Sequence, residues 1–134
     1  MQLVNKRYRL KKNEFDTETS LQNENVLEAA AEENKKLFCK NCKNHITNID
    51  AAISIDGAHT HTFKNPADYE YTISCYQTAV GCLVSGEPTN EYTWFKHYQW
   101  QLAFCNACGD QLGWLFSNEQ QFYALIVDRL IDQY

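Results

Sequence analysis

Two cysteine pairs constrain this chain more than anything else in it: Cys39-Lys-Asn-Cys42 and Cys105-Asn-Ala-Cys108. A two-residue spacer lets both sulfurs of a turn face one point. Two such turns supply the tetrahedral thiolate set that zinc prefers, with bonds of about 2.3 Å. Sixty-two residues separate the pairs, far more than in a small zinc ribbon, so a shared ion would tie together two ends of a whole domain. Closing a loop of that length costs about 4 kcal/mol. Structural zinc contributes on the order of 10–16 kcal/mol, so the metal outweighs the closure. The rival readings are a redox CxxC, which normally opens a helix in a βαβ setting not visible here, and a disulfide framework. One zinc ion on Cys39, Cys42, Cys105 and Cys108 is the expected arrangement. Four filled positions leave none for substrate, so the site is structural and no catalytic residue is assigned.

At 134 residues the chain has room for one domain. With 12 basic and 17 acidic residues its net charge is −5, which argues against nucleic acid as a partner. The longest apolar run, Phe122 to Val127, is six residues, far short of the roughly 18 a membrane span requires. No apolar stretch follows the charged opening MQLVNKRYRLKK, so an export signal is not expected and a cytoplasmic location is. In a reducing compartment cysteines serve as metal ligands or free thiols, which again favours the metal.

Composition changes near Leu37. Residues 1–36 hold seven basic and seven acidic residues but only two of the 18 aromatics, Tyr8 and Phe15. Such a stretch cannot bury enough apolar surface to offset its ordering entropy. Within it, Ser20 to Lys36 favours a helix through its alanines and a Glu32–Lys36 pair, although the apolar face of Leu21, Val26, Leu27 and Ala30 is thin. The expectation is a charged, partly helical arm over 1–36 and a folded domain over 37–134.

The domain reads as β. Tyr69, Tyr71, Ile73 and Cys75 alternate with Glu70, Thr72 and Ser74, and Tyr98, Trp100, Leu102 and Phe104 alternate with Gln99, Gln101 and Ala103, the period of a half-buried strand. Shorter candidates are Ile53–Ile55, His59–Phe63, Ala79–Val84 and Trp114–Phe116. Asp56-Gly57, Asn65-Pro66, Ser85-Gly86 and Glu87-Pro88 read as turns between them. Phe122 to Ile131 fits a helix or a strand. His59-Thr-His61 puts two imidazoles on one strand face, a possible metal pair. With no cysteine nearby they read as ordinary exposed strand histidines. Cys75 and Cys82 belong to no CxxC and read as small hydrophobes.

All three tryptophans, Trp94, Trp100 and Trp114, fall within 21 residues. Their ordinary reading is core. The run CxxC, Asn65-Pro66, Glu91-Tyr-Thr-Trp94-Phe95, Tyr98-Gln-Trp100, CxxC, Gly113-Trp114-Leu-Phe116 nevertheless resembles the CULT family, the thalidomide-binding domain of cereblon, over about residues 37–134. The resemblance implies a β-tent-like fold: two antiparallel sheets meeting at a steep angle, pinned by the four-cysteine zinc. It also tips Phe122–Leu130 towards a closing strand.

The same resemblance implies a ligand site. Trp94, Trp100 and Trp114 would wall a cage for a cyclic imide such as glutarimide or uracil, with Phe116 as its floor and Asn65 and Pro66 facing it. The stretch Tyr92-Thr93-Trp94 would read the ring edge through its main chain. In an extended segment, residues i and i+2 point their polar groups to one side, which suits an imide's donor and acceptor. Tyr92 and Ala67 stand where the family has histidines. The chain resembles the stand-alone bacterial version and has no room for the Lon-like domain that attaches cereblon to a ubiquitin ligase, so a ligase partner is not expected. The expected partner is a small cyclic imide or an imide-ended peptide. Two alternatives remain: an aromatic cage for quaternary ammonium or methylated lysine beside Glu91, and a reductase of the methionine sulfoxide type, which would need an activated cysteine.

Overall fold

The computed structural model describes residues 36–132. The helical reading of the arm lies outside them, apart from Lys36, which opens the first strand. Nine strands follow: β1 (Lys36–Cys39), β2 (His45–Asn48), β3 (Thr60–Lys64), β4 (Glu70–Tyr76), β5 (Cys82–Thr89), β6 (Gln99–Cys105), β7 (Gln111–Ser117), β8 (Gln121–Ile126) and β9 (Leu130–Ile131). They form two antiparallel sheets, one of order β2-β1-β9 and one of order β3-β4-β8-β7-β6-β5. The ambiguous C-terminal stretch resolves into β8, a 3-10 turn over Val127–Arg129, and β9.

The six-stranded sheet has a core on each face. Ile73, Cys75, Trp114, Phe116, Phe122 and Ala124 point one way and pack with Phe95. Tyr76, Cys105, Leu112 and Leu125 point the other way, onto Leu37, Cys39 and Ile46 of the small sheet. Coverage on both sides explains why β7, Gln-Leu-Gly-Trp-Leu-Phe-Ser, is an unbroken buried run, whereas the start of β4 alternates cleanly. Gly113 is required where β7 meets β8. A Cβ there would strike the carbonyl of Ala124 and come within 2.9 Å of Leu125 Cα.

Two sequence expectations give way to turn chemistry. Ile53–Ile55 is not a strand but the entry to a two-residue turn. Asp56 (φ 53°) and Gly57 (φ 87°) are both left-handed, and Ile55 and Ala58 exchange backbone hydrogen bonds of 2.9 and 3.2 Å. Conversely, Ser85-Gly86 and Glu87-Pro88 do not end a strand; they lie inside β5. The pairing to β6 slips between Ser85 and Thr89, and Pro88 is tolerated because β5 is an edge strand.

Candidate functional site

Each CxxC is built by the same local wiring. In the first, Cys39 N–H donates to Asn44 O (2.8 Å) and Lys43 N–H donates to Cys39 O (2.8 Å). In the second, Cys105 N–H donates to Asp110 O (2.8 Å) and Gly109 N–H donates to Cys105 O (2.9 Å). The fifth residue of each turn is left-handed, Lys43 at φ 68° and Gly109 at φ 83°. One knuckle follows β1 of the small sheet and the other follows β6 of the large one, so their meeting joins the two sheets.

The four Sγ atoms lie within 4.8 Å of one another. Cys39 to Cys108 is 3.7 Å and Cys42 to Cys105 is 3.6 Å. A tetrahedron with bonds of about 2.3 Å has edges of about 3.8 Å, so the cluster fits a metal ion. All four cysteines are free rather than bridged. Donors already aim at sulfur: Ala107 N–H lies 3.4 Å and Asn44 Nδ2 3.7 Å from Cys105 Sγ. Without a cation the four do not ionise together: the Asn41 side chain and the Asp110 backbone pull the Cys108 thiol down to about 7, whereas burial raises Cys39, and at Cys42 the pull of the Asn44 backbone is outweighed by burial and the neighbouring cysteines, which push it up to about 12. Four thiolates this close repel one another unless a cation lies between them.

On the opposite face of the large sheet lies a cavity of about 390 Å³. Strand register builds its floor. Trp100 pairs with Phe116 and Leu102 pairs with Trp114, so all four side chains share one face of the β6–β7 ladder. Trp94 comes from the loop between β5 and β6. Its ring stacks on Phe63 at 5.0 Å and meets Trp114 edge-on at 4.7 Å. Two main-chain carbonyls hold the indoles in place: Trp94 Nε1 donates to Lys64 O (3.1 Å) and Trp100 Nε1 donates to Glu91 O (2.8 Å). Asn65 and Pro66 line the opening, in a turn where Asn65 Oδ1 accepts from Tyr69 N–H (2.9 Å).

No family model matches the chain. Cereblon from chicken (Gallus gallus) is 31% identical over 104 residues, covering 71% of this chain and 23% of that protein. Cereblon from Drosophila willistoni is 28% identical over 99 residues, covering 71% and 16%, and that from Drosophila virilis 25% over 95 residues, covering 68% and 15%. The chain carries a cereblon-like domain of the CULT type. It spans less than a quarter of the length of these relatives.

Of the residues named from sequence, this cereblon-like domain brings Asn65, Pro66, Tyr92, Trp94, Trp100, Trp114 and Phe116 to one cavity. Thr93 is not among its lining residues; its hydroxyl donates to Phe95 O instead (3.3 Å). The Tyr92–Trp94 stretch is not extended either. Tyr92 sits at φ 57° in a turn, so the alternation argument for its polar groups does not apply there. Tyr71, Leu102 and Gln111 also line the cavity and were missed. Leu102 stands two residues from Trp100 on one strand, a signal the sequence did offer. Gln111 reaches this face only because a bulge at Leu112 shifts the β6–β7 register.

The histidine pair is structural and half-buried rather than exposed. His59 Nδ1 contacts Ile53 O (3.1 Å), and His61 Nε2 contacts Ile55 O and Ala58 O (both 3.0 Å). A carbonyl only accepts, so those nitrogens carry the ring protons and hold the 53–58 turn against β3. Burial pushes the Cys75 and Cys82 thiols up to about 12. Among the described residues no helix is long and apolar enough to cross a membrane.

Proposed function

We propose that the chain is a binding module that captures cyclic imides, glutarimide-, thalidomide- or uracil-like rings, free or at the end of a peptide. The observation that carries this reading is a single cavity of about 390 Å³ walled by three tryptophans, near the lower end of small-molecule sites. Indole walls suit the apolar faces of a small flat ring, and a water-poor enclosure strengthens hydrogen bonds to its polar edge. That edge needs one donor and one acceptor. Trp94 N–H and Tyr92 C=O bond to no described residue, which leaves both for a ligand.

The reading assigns one structural zinc to Cys39, Cys42, Cys105 and Cys108, where it would join the two sheets. It also makes the chain a binder rather than an enzyme. A sulfoxide reductase would need an activated thiolate, whereas Cys75 and Cys82 are held protonated and neither lines the cavity. Attachment to a ubiquitin ligase forms no part of the proposal. One observation favours a second reading: Glu91 lines the cavity together with the aromatic rings, and an acidic residue among aromatics also suits a quaternary ammonium or methylated lysine.

Calorimetric and tryptophan-fluorescence titrations with glutarimide, uracil, N-methylglutarimide and choline separate the two. Glutarimide binds at micromolar Kd, roughly −7 to −8 kcal/mol, a plausible yield for about eight heavy atoms. N-methylation removes the donor and leaves a carbonyl unpaired, at a cost of about 1–3 kcal/mol. Equal binding of glutarimide and its N-methyl derivative, or stronger binding of choline, rejects the imide reading.

A further inference from the structure

Cys82 on β5 is the direct register partner of Cys105 on β6, one of the four clustered cysteines. Their backbones do not bond to each other. Cys82 N–H donates to Ala79 O (3.1 Å), and Cys105 N–H donates to Asp110 O (2.8 Å). The ladder bond lies one step outside the pair, from Asn106 N–H to Gly81 O (2.9 Å). That pattern marks a non-hydrogen-bonded antiparallel pair, whose Cα atoms stand about 4.5 Å apart with both side chains on one face. A disulfide needs Cα atoms about 4.4–6.8 Å apart, so the ladder already meets its backbone requirement. Both thiols are free, and half-buried Cys82 packs against the core cluster that contains Cys39 and Cys105. Cys82 is neither one of the four converging sulfurs nor a lining residue of the cavity.

We propose that Cys82 makes the four-cysteine cluster a redox-sensitive switch: under peroxide it captures Cys105 in a cross-strand disulfide, and the cluster gives up its zinc. Cys42 and Cys108 are the exposed members of the cluster, so a peroxide molecule meets one of them first. Its O–O bond breaks, the thiolate becomes a sulfenic acid, and hydroxide leaves. Cys105 Sγ lies 3.6 Å from Cys42 Sγ and within 4.8 Å of Cys108 Sγ. It attacks the oxidised sulfur, the S–O bond breaks, and a second hydroxide leaves. One hydroxide takes the proton of Cys82, and the Cys82 sulfur attacks Cys105. The Cys82–Cys105 bond forms, and the exposed cysteine departs as a thiolate again. Two sulfurs have each lost one electron, and peroxide has been reduced to water and hydroxide. The final bond lies within a ladder already in register, whereas a Cys42–Cys105 bond would have to span the two sheets. A bridged Cys105 is no longer a thiolate ligand, so the cluster loses its hold on zinc and the small sheet its tie. The switch acts on this face of the large sheet whatever the cavity on the other face binds.

The test treats the zinc-loaded full chain with hydrogen peroxide, follows released zinc with a chromophoric chelator, and blocks the remaining thiols by alkylation. Digestion without reductant and mass spectrometry then map the disulfides. In the parent protein the peptide linked through Cys82 and Cys105 becomes the main bridged species, rises in step with zinc release, and disappears on reduction with dithiothreitol as zinc rebinds. Cys82→Ser binds zinc before oxidation, and after the same treatment its Cys105 is bridged to Cys42 or Cys108 instead. Should that variant fail to fold, the map of the parent protein alone decides. Three results overturn the switch: zinc release with Cys82 still fully alkylated and the bridges confined to the four clustered cysteines, a Cys82–Cys105 bridge that forms with zinc retained, or neither bridge nor zinc release in excess peroxide.

Discussion

Phe95 is the peg that fastens the loop carrying Trp94, and its removal is the most demanding test of the architecture. The side chain is 1% exposed. It meets five rings: Phe116 at 4.9 Å, His61 and Phe122 at 5.1 Å, Phe63 at 5.2 Å and Tyr98 at 6.4 Å, all edge-on. Its carbonyl closes the turn by accepting from Tyr98 N–H at 3.1 Å. Buried phenylalanine to alanine costs about 3–5 kcal/mol, and this site has rigid aromatic neighbours that collapse poorly into a cavity. We expect Phe95→Ala to lose about 4 kcal/mol, equivalent to roughly 15–30 °C in Tm for a domain of this size. Phe95→Leu, close in volume, should lose about 1.5 kcal/mol. Urea unfolding at fixed free zinc measures both, since bound metal itself shifts the equilibrium. Imide affinity in Phe95→Ala should fall about tenfold, or 1.4 kcal/mol, as Trp94 loses its anchored neighbour. A stability loss below about 1.5 kcal/mol for the alanine variant would show that the loop is held by something other than this peg.

Two further outcomes follow from the geometry. Cys39→Ser removes one of four converging sulfurs and leaves a protein with no zinc by elemental analysis and little cooperative unfolding, because metal binding and docking of the sheets form one equilibrium; a zinc-free variant with a sharp melt contradicts this. Stability falls as pH rises above about 9. The Cys75 thiol, pushed up to about 12 chiefly by burial, keeps its proton in the folded state while the unfolded chain gives its own up near 9. Stability from this group is full below that value and drains towards 12. Urea midpoints from pH 8 to 11 should fall less steeply in Cys75→Ala than in the parent; identical slopes refute the assignment.

What the sequence disclosed depended on how local the physics was. A CxxC turn is set by four residues, so the four-cysteine cluster was legible outright, as was the start of β4, where one wet face leaves a period of two; β6 was legible through Gln99 and Gln101, although Ala103 and Cys105 on the same face are buried. Ile53–Ile55 and Pro88 misled because turn dipeptides state only that the backbone bends. Whether they end a strand depends on which neighbour is paired and which edge is free. The Tyr92 turn escaped notice because a left-handed tyrosine carries no sequence mark. Tyr71 and Gln111 needed cross-strand register, and in the case of Gln111 a bulge, neither of which a single sequence states.

The two faces of the large sheet answer to different demands, and strand alternation interleaves those demands residue by residue. Along β7, Gly113 admits the backbone of β8 on the small-sheet side, while Trp114 and Phe116 look into the cavity. Away from the bulge at Leu112, a saturation scan of β6 and β7 read once for folding and once for ligand selectivity would therefore yield two combs of period two, offset by a single residue. Recognition can drift at half-buried Trp100 and Leu102 on one comb, while Phe116 on that comb and the residues of the other keep the core, the four-cysteine cluster and the docked sheets in place. A lineage carrying this domain is free to change what it binds without first relearning how to fold.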